Sequence, residues 1–144
     1  MIEVEDDLWN YHDIGFPVVI TTNGIVRGES NVMGRGVALQ AAQRFPSLPR
    51  QLGRTILATG NHVYWFQEFR LLTFPTKHDW HDKSDLTLIE RSAYELKRMA
   101  DRIREKMIFL PRPGTGSGGL LWSVEVKPVI EPILDDRFVI VNRG

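Results

Sequence analysis

Two short apolar runs constrain this chain more than anything else in it, because each passes straight into a glycine-bearing loop and then into a helix-forming stretch. The first is Pro17–Thr22 (PVVITT), followed by Asn23, Gly24 and, a little later, Val32-Met33-Gly34-Arg35-Gly36-Val37. The second is MIFL at 107–110, followed by Pro111-Arg112-Pro113-Gly114-Thr115-Gly116-Ser117-Gly118-Gly119. Nearly all-apolar runs of this length, the first of them rich in β-branched residues, suit strands buried on both faces. Such strands belong to parallel or mixed sheets whose connections are helices.

Suitable helices are present. Gly36 to Phe45 carries Val37, Leu39, Ala41, Ala42 and Phe45 for packing, and Pro46 stops it. Leu48 to Ala58 reads as a second short helix closed by Gly60. From a cap at Ser84 or Asp85, the residues Leu86, Ile89, Ala93, Leu96, Ala100 and Ile103 recur at steps that put one apolar stripe on a long helix. Met1–Glu5, Val63–Phe66, Phe69–Phe74 and Phe138–Val141 read as further strands, the middle two as a hairpin. Val126–Leu134 reads as a helix weakened by Pro128 and Pro132.

The chain's 144 residues suit one domain spanning 1–144, with 42% hydrophobic and 25% charged residues. No apolar run approaches the ~20 residues that cross a bilayer, so no membrane is expected. The acidic start MIEVEDDLWN is unlike a signal peptide. With no cysteine there is no disulfide and no thiolate chemistry, which fits a reducing cytoplasm. A formal net charge of zero argues against coating duplex nucleic acid by counterion release. Five arginines (Arg27, Arg35, Arg44, Arg50 and Arg54) nevertheless fall in one stretch that holds a single acid, Glu29. They are either a basic face for a phosphate-bearing ligand or an ordinary solvated surface.

Both glycine loops follow a strand. In an open α/β sheet, ligands bind beyond the carboxyl ends of the strands. Glycine lets the backbone come close to a ligand, and unpaired N–H groups at a helix start or in a nest favour an anion. Two such loops can clamp a diphosphate from both sides. Neither is a P-loop, and GRGVAL is not the dinucleotide fingerprint G-x-G-x-x-G.

The segment Thr76 to Ser84 (TKHDWHDKS) leaves another apolar strand for the same edge. Lys77 emerges there as a surface cation or as an amine nucleophile with part of its hydration removed. Trp80 is a packing residue or a lid. His78, Asp79, His81 and Asp82 could ligate a metal, but the H-E-x-x-H signature is absent and no metal is expected. Ser117 lacks the G-x-S-x-G elbow of a nucleophilic serine.

In this order, TTNG, VMGRGVALQAAQRFP, FPTKHDW, the helix from Ser84, LPRPGTGSGGLLW and VKPVI resemble the macrodomain family of ADP-ribose-binding modules. Within it the chain is similar to the bacterial DNA ADP-ribosyl glycohydrolase antitoxins and the terminal ADP-ribose glycohydrolases. The resemblance runs from about Asp7 to Ile133. It implies an α/β fold, a three-layer α/β/α sandwich around a mixed sheet. It implies that Asp7 accepts a hydrogen bond from the adenine amino group and that Leu8 offers backbone contacts beside it. The distal ribose falls to Asn23 or, because of the insertion between Gly24 and Val32, to Asn31. Gly34, Arg35, Gly36 and Val37 become the first diphosphate loop, and Gly114, Thr115, Gly116, Ser117 and Gly118 the second.

Lys77 matches the subgroup's catalytic lysine, which either attacks the opened sugar as a Schiff base or stabilises the departing group. Two departures stand out. The protein-directed glycohydrolases carry an aspartate where this chain has Gly118, which brings it nearer the DNA-directed type. No aromatic for adenine stacking follows the last strand in Val141–Gly144. The implied function is hydrolysis of ADP-ribosyl adducts, DNA-linked ahead of protein-linked. The alternatives are a reader without turnover and an ADP-ribose 1″-phosphate phosphatase. The implied ligand or product is ADP-ribose, with no cofactor. The implied partner is an ADP-ribosylated macromolecule, single-stranded DNA among them, met by a cytoplasmic monomer.

Overall fold

The computed structural model describes residues 1–143. Its strands are β1 (Ile2–Glu5), β2 (Val18–Asn23), β3 (Val26–Arg27), β4 (Ser30–Asn31), β5 (Trp65–Phe66), β6 (Leu71–Lys77), β7 (Ile108–Leu110) and β8 (Phe138–Asn142). Its helices are α1 (Leu8–Asp13), α2 (Gly36–Arg44), α3 (Leu48–Thr59), α4 (Leu86–Ile103) and α5 (Lys127–Ile130). Six strands make one sheet in the order β1-β8-β7-β2-β6-β5. Every pairing in it is parallel except the hairpin of β5 with β6. The C-terminal ends of β2, β6, β7, β8 and β1 therefore share one edge.

The two apolar faces explain the layers. Val19, Leu72, Phe74, Ile108, Leu110, Phe138 and Ile140 meet the stripe Ile89, Ala93, Leu96 and Ala100 of α4, together with Val126 and Ile130. On the other face Val18, Ile20, Leu71, Phe109 and Val139 meet Leu8 and Trp9 of α1, Ala41 of α2, and Leu48 and Leu52 of α3. Each fully buried Leu, Ile or Phe contributes roughly 1.5–3 kcal/mol, so both faces must be covered for the sheet to persist. The result is a three-layer α/β/α sandwich on a mixed sheet. Among the described residues no helix is long and apolar enough to cross a membrane.

Several local details differ from the sequence reading. Helix α1 was not anticipated, and the Asp7 carboxylate caps it by accepting from Trp9 N at 3.0 Å. The stretch between Gly24 and Val32 folds into the small β3–β4 hairpin. The expected helix Val126–Leu134 is a π-turn over Trp122–Val126 followed by the four residues of α5. Pro128 fits the first turn of α5, and Pro132 cannot donate the bond that would extend it. Pro75 is tolerated inside β6 because β5 pairs only with Leu71 and Leu72, which leaves Pro75 on an uncovered edge.

Candidate functional site

Beyond the ends of β2, β6 and β7 lies a pocket of about 250 Å³. Thr21, Thr22 and Asn23 reach it from β2, and Thr76 and Lys77 from β6. Trp80 and Ser84 come from the link to α4. Val32, Gly34, Arg35 and Ala38 come from the first glycine loop and the start of α2. Gly114, Thr115, Ser117 and Gly118 come from the second loop. The two loops and the lysine segment, far apart in sequence, thus face one cavity. A shallower groove of about 590 Å³ along α4, lined by Arg91, Tyr94 and Arg98 among others, lies away from all three segments.

The address of Lys77 depends on an irregularity. Thr22 pairs with Pro75, but Asn23 pairs with Lys77, so Thr76 is an extra residue in the ladder. The carbonyl of Thr76 instead accepts the Asp85 N–H at 2.8 Å, just where the Asp85 side chain caps α4. A bulge of this kind re-aims the side chains after it. Asn23 and Lys77 consequently sit side by side at the pocket. The Lys77 ammonium donates to the Trp80 carbonyl at 3.4 Å and the Ser117 carbonyl at 3.5 Å. Among the described residues no carboxylate forms an ion pair with it. Its own carbonyl accepts from Asn61 Nδ2 at 3.1 Å, which ties the end of β6 to the loop before β5.

The two asparagines are placed differently. Asn31 is 3% exposed and its amide donates to the carbonyls of Asn23 at 3.0 Å and Ile25 at 2.9 Å, pinning the hairpin. Asn23 lines the pocket, with its amide donating to Val32 O at 2.8 Å and its oxygen accepting from Ile25 N at 2.9 Å.

The two glycine loops differ in kind. Around Gly34 a side chain would meet nothing within 4 Å, and no side chain caps the first turn of α2. The leading N–H groups of that helix have no capping side chain. The second loop is closed by Leu120 N to Gly114 O at 3.0 Å and held by Ser84 N to Gly118 O at 2.9 Å. A methyl group at Gly118 would overlap the Ser84 hydroxyl.

Gly36, Val37 and Gly116 stand next to lining residues without lining the pocket themselves. Asp7 and Leu8 follow β1 at the same sheet edge, three strands along from β2 and outside the cavity wall. At ~4.8 Å per strand that is roughly 14 Å, comparable to the reach of an extended nucleotide.

Thr21, Thr22, Val32, Ala38, Thr76 and Ser84 line the pocket without having been singled out in the sequence as ligand contacts. Thr21, Thr22 and Thr76 could have been marked by their place at strand ends, whereas no local signal marks Val32, Ala38 or Ser84. Ser84 Oγ and Trp80 Nε1 are buried without a hydrogen-bond partner. Unpaired buried donors are costly, and in a pocket wall they point to a bound group or water.

The five arginines do not act together. Arg50 and Arg54 pair with Glu29 at 2.7 and 3.2 Å, and Arg44 pairs with Asp13 at 2.9 Å. Arg27 and Arg35 are left near the pocket. The histidines pair off: His78 with Asp85 at 3.4 Å, and His81 with Asp79. The His81 backbone N–H holds the Asp79 carboxyl below its ordinary range, helped by the His81 ring and the charge of Arg27.

No protein-family model matches the chain. A DNA ADP-ribosyl glycohydrolase from Thermus aquaticus is 32% identical over 115 residues, which cover 72% of this chain and 31% of that relative. The chain therefore spans about a third of the length of that curated protein. Among solved structures, the macrodomain of Thermus aquaticus DarG matches with a TM-score of 0.74 at 29% identity, covering 99% of this chain and 97% of that one. The macrodomain of Mycobacterium tuberculosis DarG matches with a TM-score of 0.78 at 23% identity, again covering 99% and 97%. A parallel-centred α/β/α sandwich with a two-loop pocket at its strand ends, matched this completely, makes the chain a macrodomain. Within the macrodomains it belongs with the DarG and DNA ADP-ribosyl glycohydrolase subgroup.

Proposed function

We propose that the pocket binds ADP-ribose and that the chain hydrolyses its bond to a DNA base, with Lys77 at the reacting carbon. The observation that carries this reading is the position of the Lys77 ammonium, held by two carbonyls between the Trp80 segment and the second loop and paired with no carboxylate. An amine so placed is free to meet the anomeric carbon of a sugar lying beside Asn23. In the net reaction water adds to that carbon and the base leaves with a proton. Lys77 assists in one of two ways. Either its deprotonated amine adds to C1 of the opened sugar, so that the base leaves with a proton and water then hydrolyses the resulting imine to release the lysine. Or, as the ammonium, it stabilises charge on the departing group.

The rest of the ligand follows the edge of the sheet. The open first loop and the uncapped start of α2, with Gly34, Arg35, Gly36 and Val37, face the diphosphate from one side. Gly114, Thr115, Gly116, Ser117 and Gly118 face it from the other. Asp7 and Leu8 lie where an adenine would end.

Gly118 supports DNA over protein as the acceptor. Protein-directed relatives place a carboxylate there, and here the Ser84 hydroxyl fills the space such a side chain needs. The name of the curated relative, DNA ADP-ribosyl glycohydrolase, points the same way.

The test has two parts. ADP-ribose should bind the wild type in calorimetry and raise its Tm by mass action. Lys77→Ala should lower the rate of ADP-ribose release from ADP-ribosylated single-stranded DNA by about a hundredfold or more while leaving ADP-ribose affinity within about threefold. Full activity in that variant removes the lysine from the mechanism, and no heat at millimolar ADP-ribose removes the reading altogether.

A further inference from the structure

Whatever is bonded to the sugar at Lys77 must leave the pocket past the residues around the amine. Lys77 Nζ donates to the Trp80 and Ser117 carbonyls, so the Trp80 segment forms one of the two walls beside the amine. That wall is aromatic and stacked. The Trp80 indole lies against the His81 imidazole with ring centroids 4.2 Å apart and planes 24° from parallel. The Arg27 guanidinium, from the β3–β4 hairpin, stands 5.7 Å from the indole centroid. Trp80 lines the pocket while the His81 side chain remains 59% exposed, so the stack begins inside the cavity and ends in solvent.

Flat π surfaces and a guanidinium in series attract flat, polarisable rings, and each such contact is sequence-tolerant. A core-packing role does not account for the arrangement, because Trp80 belongs to neither apolar cluster. The charges around it fit a polyanion's backbone. Arg27 and Arg35 make no ion pair among the described residues, and Lys83 lies exposed on the same link. Of the acids on this link, Asp79 pairs with His81 and Asp85 caps α4, while Asp82 stays exposed without an ion pair among the described residues.

We infer that Trp80, His81 and Arg27 form a stacking ledge for the nucleobases of single-stranded DNA, beside the sugar that Lys77 attends. The inference rests on the proposed reading of the pocket and adds to it the surface that selects the acceptor. The ledge holds the leaving base, and the base next to it, by their faces. Arg27 lies beside the phosphates of the strand. A duplex cannot use it, because its bases are already stacked on one another.

The experiment uses a single-stranded oligonucleotide with 2-aminopurine beside the modified position, whose fluorescence reports stacking. Wild-type protein should change that fluorescence on binding, whether the strand is ADP-ribosylated or not. Arg27→Ala and His81→Ala should each raise the KM for the ADP-ribosylated strand several-fold, and together about tenfold. Free ADP-ribose affinity should stay within about twofold. Trp80→Phe should retain most of the strand affinity and Trp80→Ala should lose it, with circular dichroism confirming that both are folded.

Unchanged KM and fluorescence in the Arg27 and His81 variants overturn the ledge, as does equal preference of the wild type for an ADP-ribosylated protein. Strand binding that depends on the ledge but proceeds without hydrolysis supports the ledge and sinks only the hydrolase reading. Failure to bind ADP-ribose at all sinks the pocket reading and the ledge with it.

Discussion

The two glycine loops look alike in sequence and are opposites in structure. Around residue 34 the glycine borders empty space. In 114–119, Gly114 and Gly118 border protein, whereas Gly116 borders open space. At Gly114, where φ is +78°, an added methyl would come within 2.6 Å of Ile89 Cδ1 and 3.1 Å of Leu120 Cδ1. At Gly118 it would strike Ser84. The first loop leaves open space beside Gly34, and Gly36, at φ +56°, holds a backbone conformation that favours glycine. At Gly114 and Gly118 the second loop has no room for a side chain, because α4 and its cap occupy it. One motif shape therefore arises from two causes, and only coordinates separate them.

The contrast can be broken or sharpened by adding a single methyl group at each place. Gly114→Ala carries the largest expected effect, since it combines a left-handed backbone with overlap in the core. It should cost about 3 kcal/mol, roughly 10 °C in Tm by calorimetry. A Tm within a degree of wild type would show that the second loop is as open as the first.

Gly118→Ala should cost less, about 1–2 kcal/mol, because the obstacle is one hydroxyl. Ser84→Ala in the same chain should restore much of the loss. A double-mutant cycle with no coupling would mean that Ser84 is not the obstacle. Smallest in stability is Gly34→Ala, expected to lie within about 0.5 kcal/mol of wild type. Its effect should appear in binding instead, as a five- to tenfold weaker ADP-ribose Kd by calorimetry, which is about 1–1.4 kcal/mol. Unchanged affinity there would remove the first loop from the ligand.

Much of this architecture could be read before any coordinates, and for definite reasons. PVVITT and MIFL are too apolar to be anything but buried strands, and the α4 stripe from Leu86 to Ile103 keeps its period over an 18-residue helix. Long periodic signals survive in sequence. The convergence of both loops with Lys77 followed from placing all of them at strand ends.

What was hidden is short or non-local. Helix α1 has six residues, too few for a period, although Asp7 before Leu8 and Trp9 is a legible cap. The strands β3 and β4 have two residues each. That Asn23 reaches the pocket while Asn31 is buried depends on the hairpin that Asn31 pins. The neutralisation of Arg44, Arg50 and Arg54 depends on partners up to 31 positions away. The difference between the two glycine loops is likewise decided by Ile89 and Ser84, which no local pattern connects to them.

The extra residue in β6 gives the chemistry an arithmetic basis. Sidedness in a strand is a matter of parity: each position added or removed exchanges the two faces for everything downstream. Thr76 is the position added here, so that Lys77, two residues after Pro75, still stands opposite Asn23, one residue after Thr22. With Thr76 deleted, the lysine would follow Pro75 directly and keep Asn23 as its partner, but the pocket would lose one wall residue and the chain one step of its path to the α4 cap at Asp85. The spare position is slack in a tether: it lengthens the link from sheet to helix without costing the amine its neighbour.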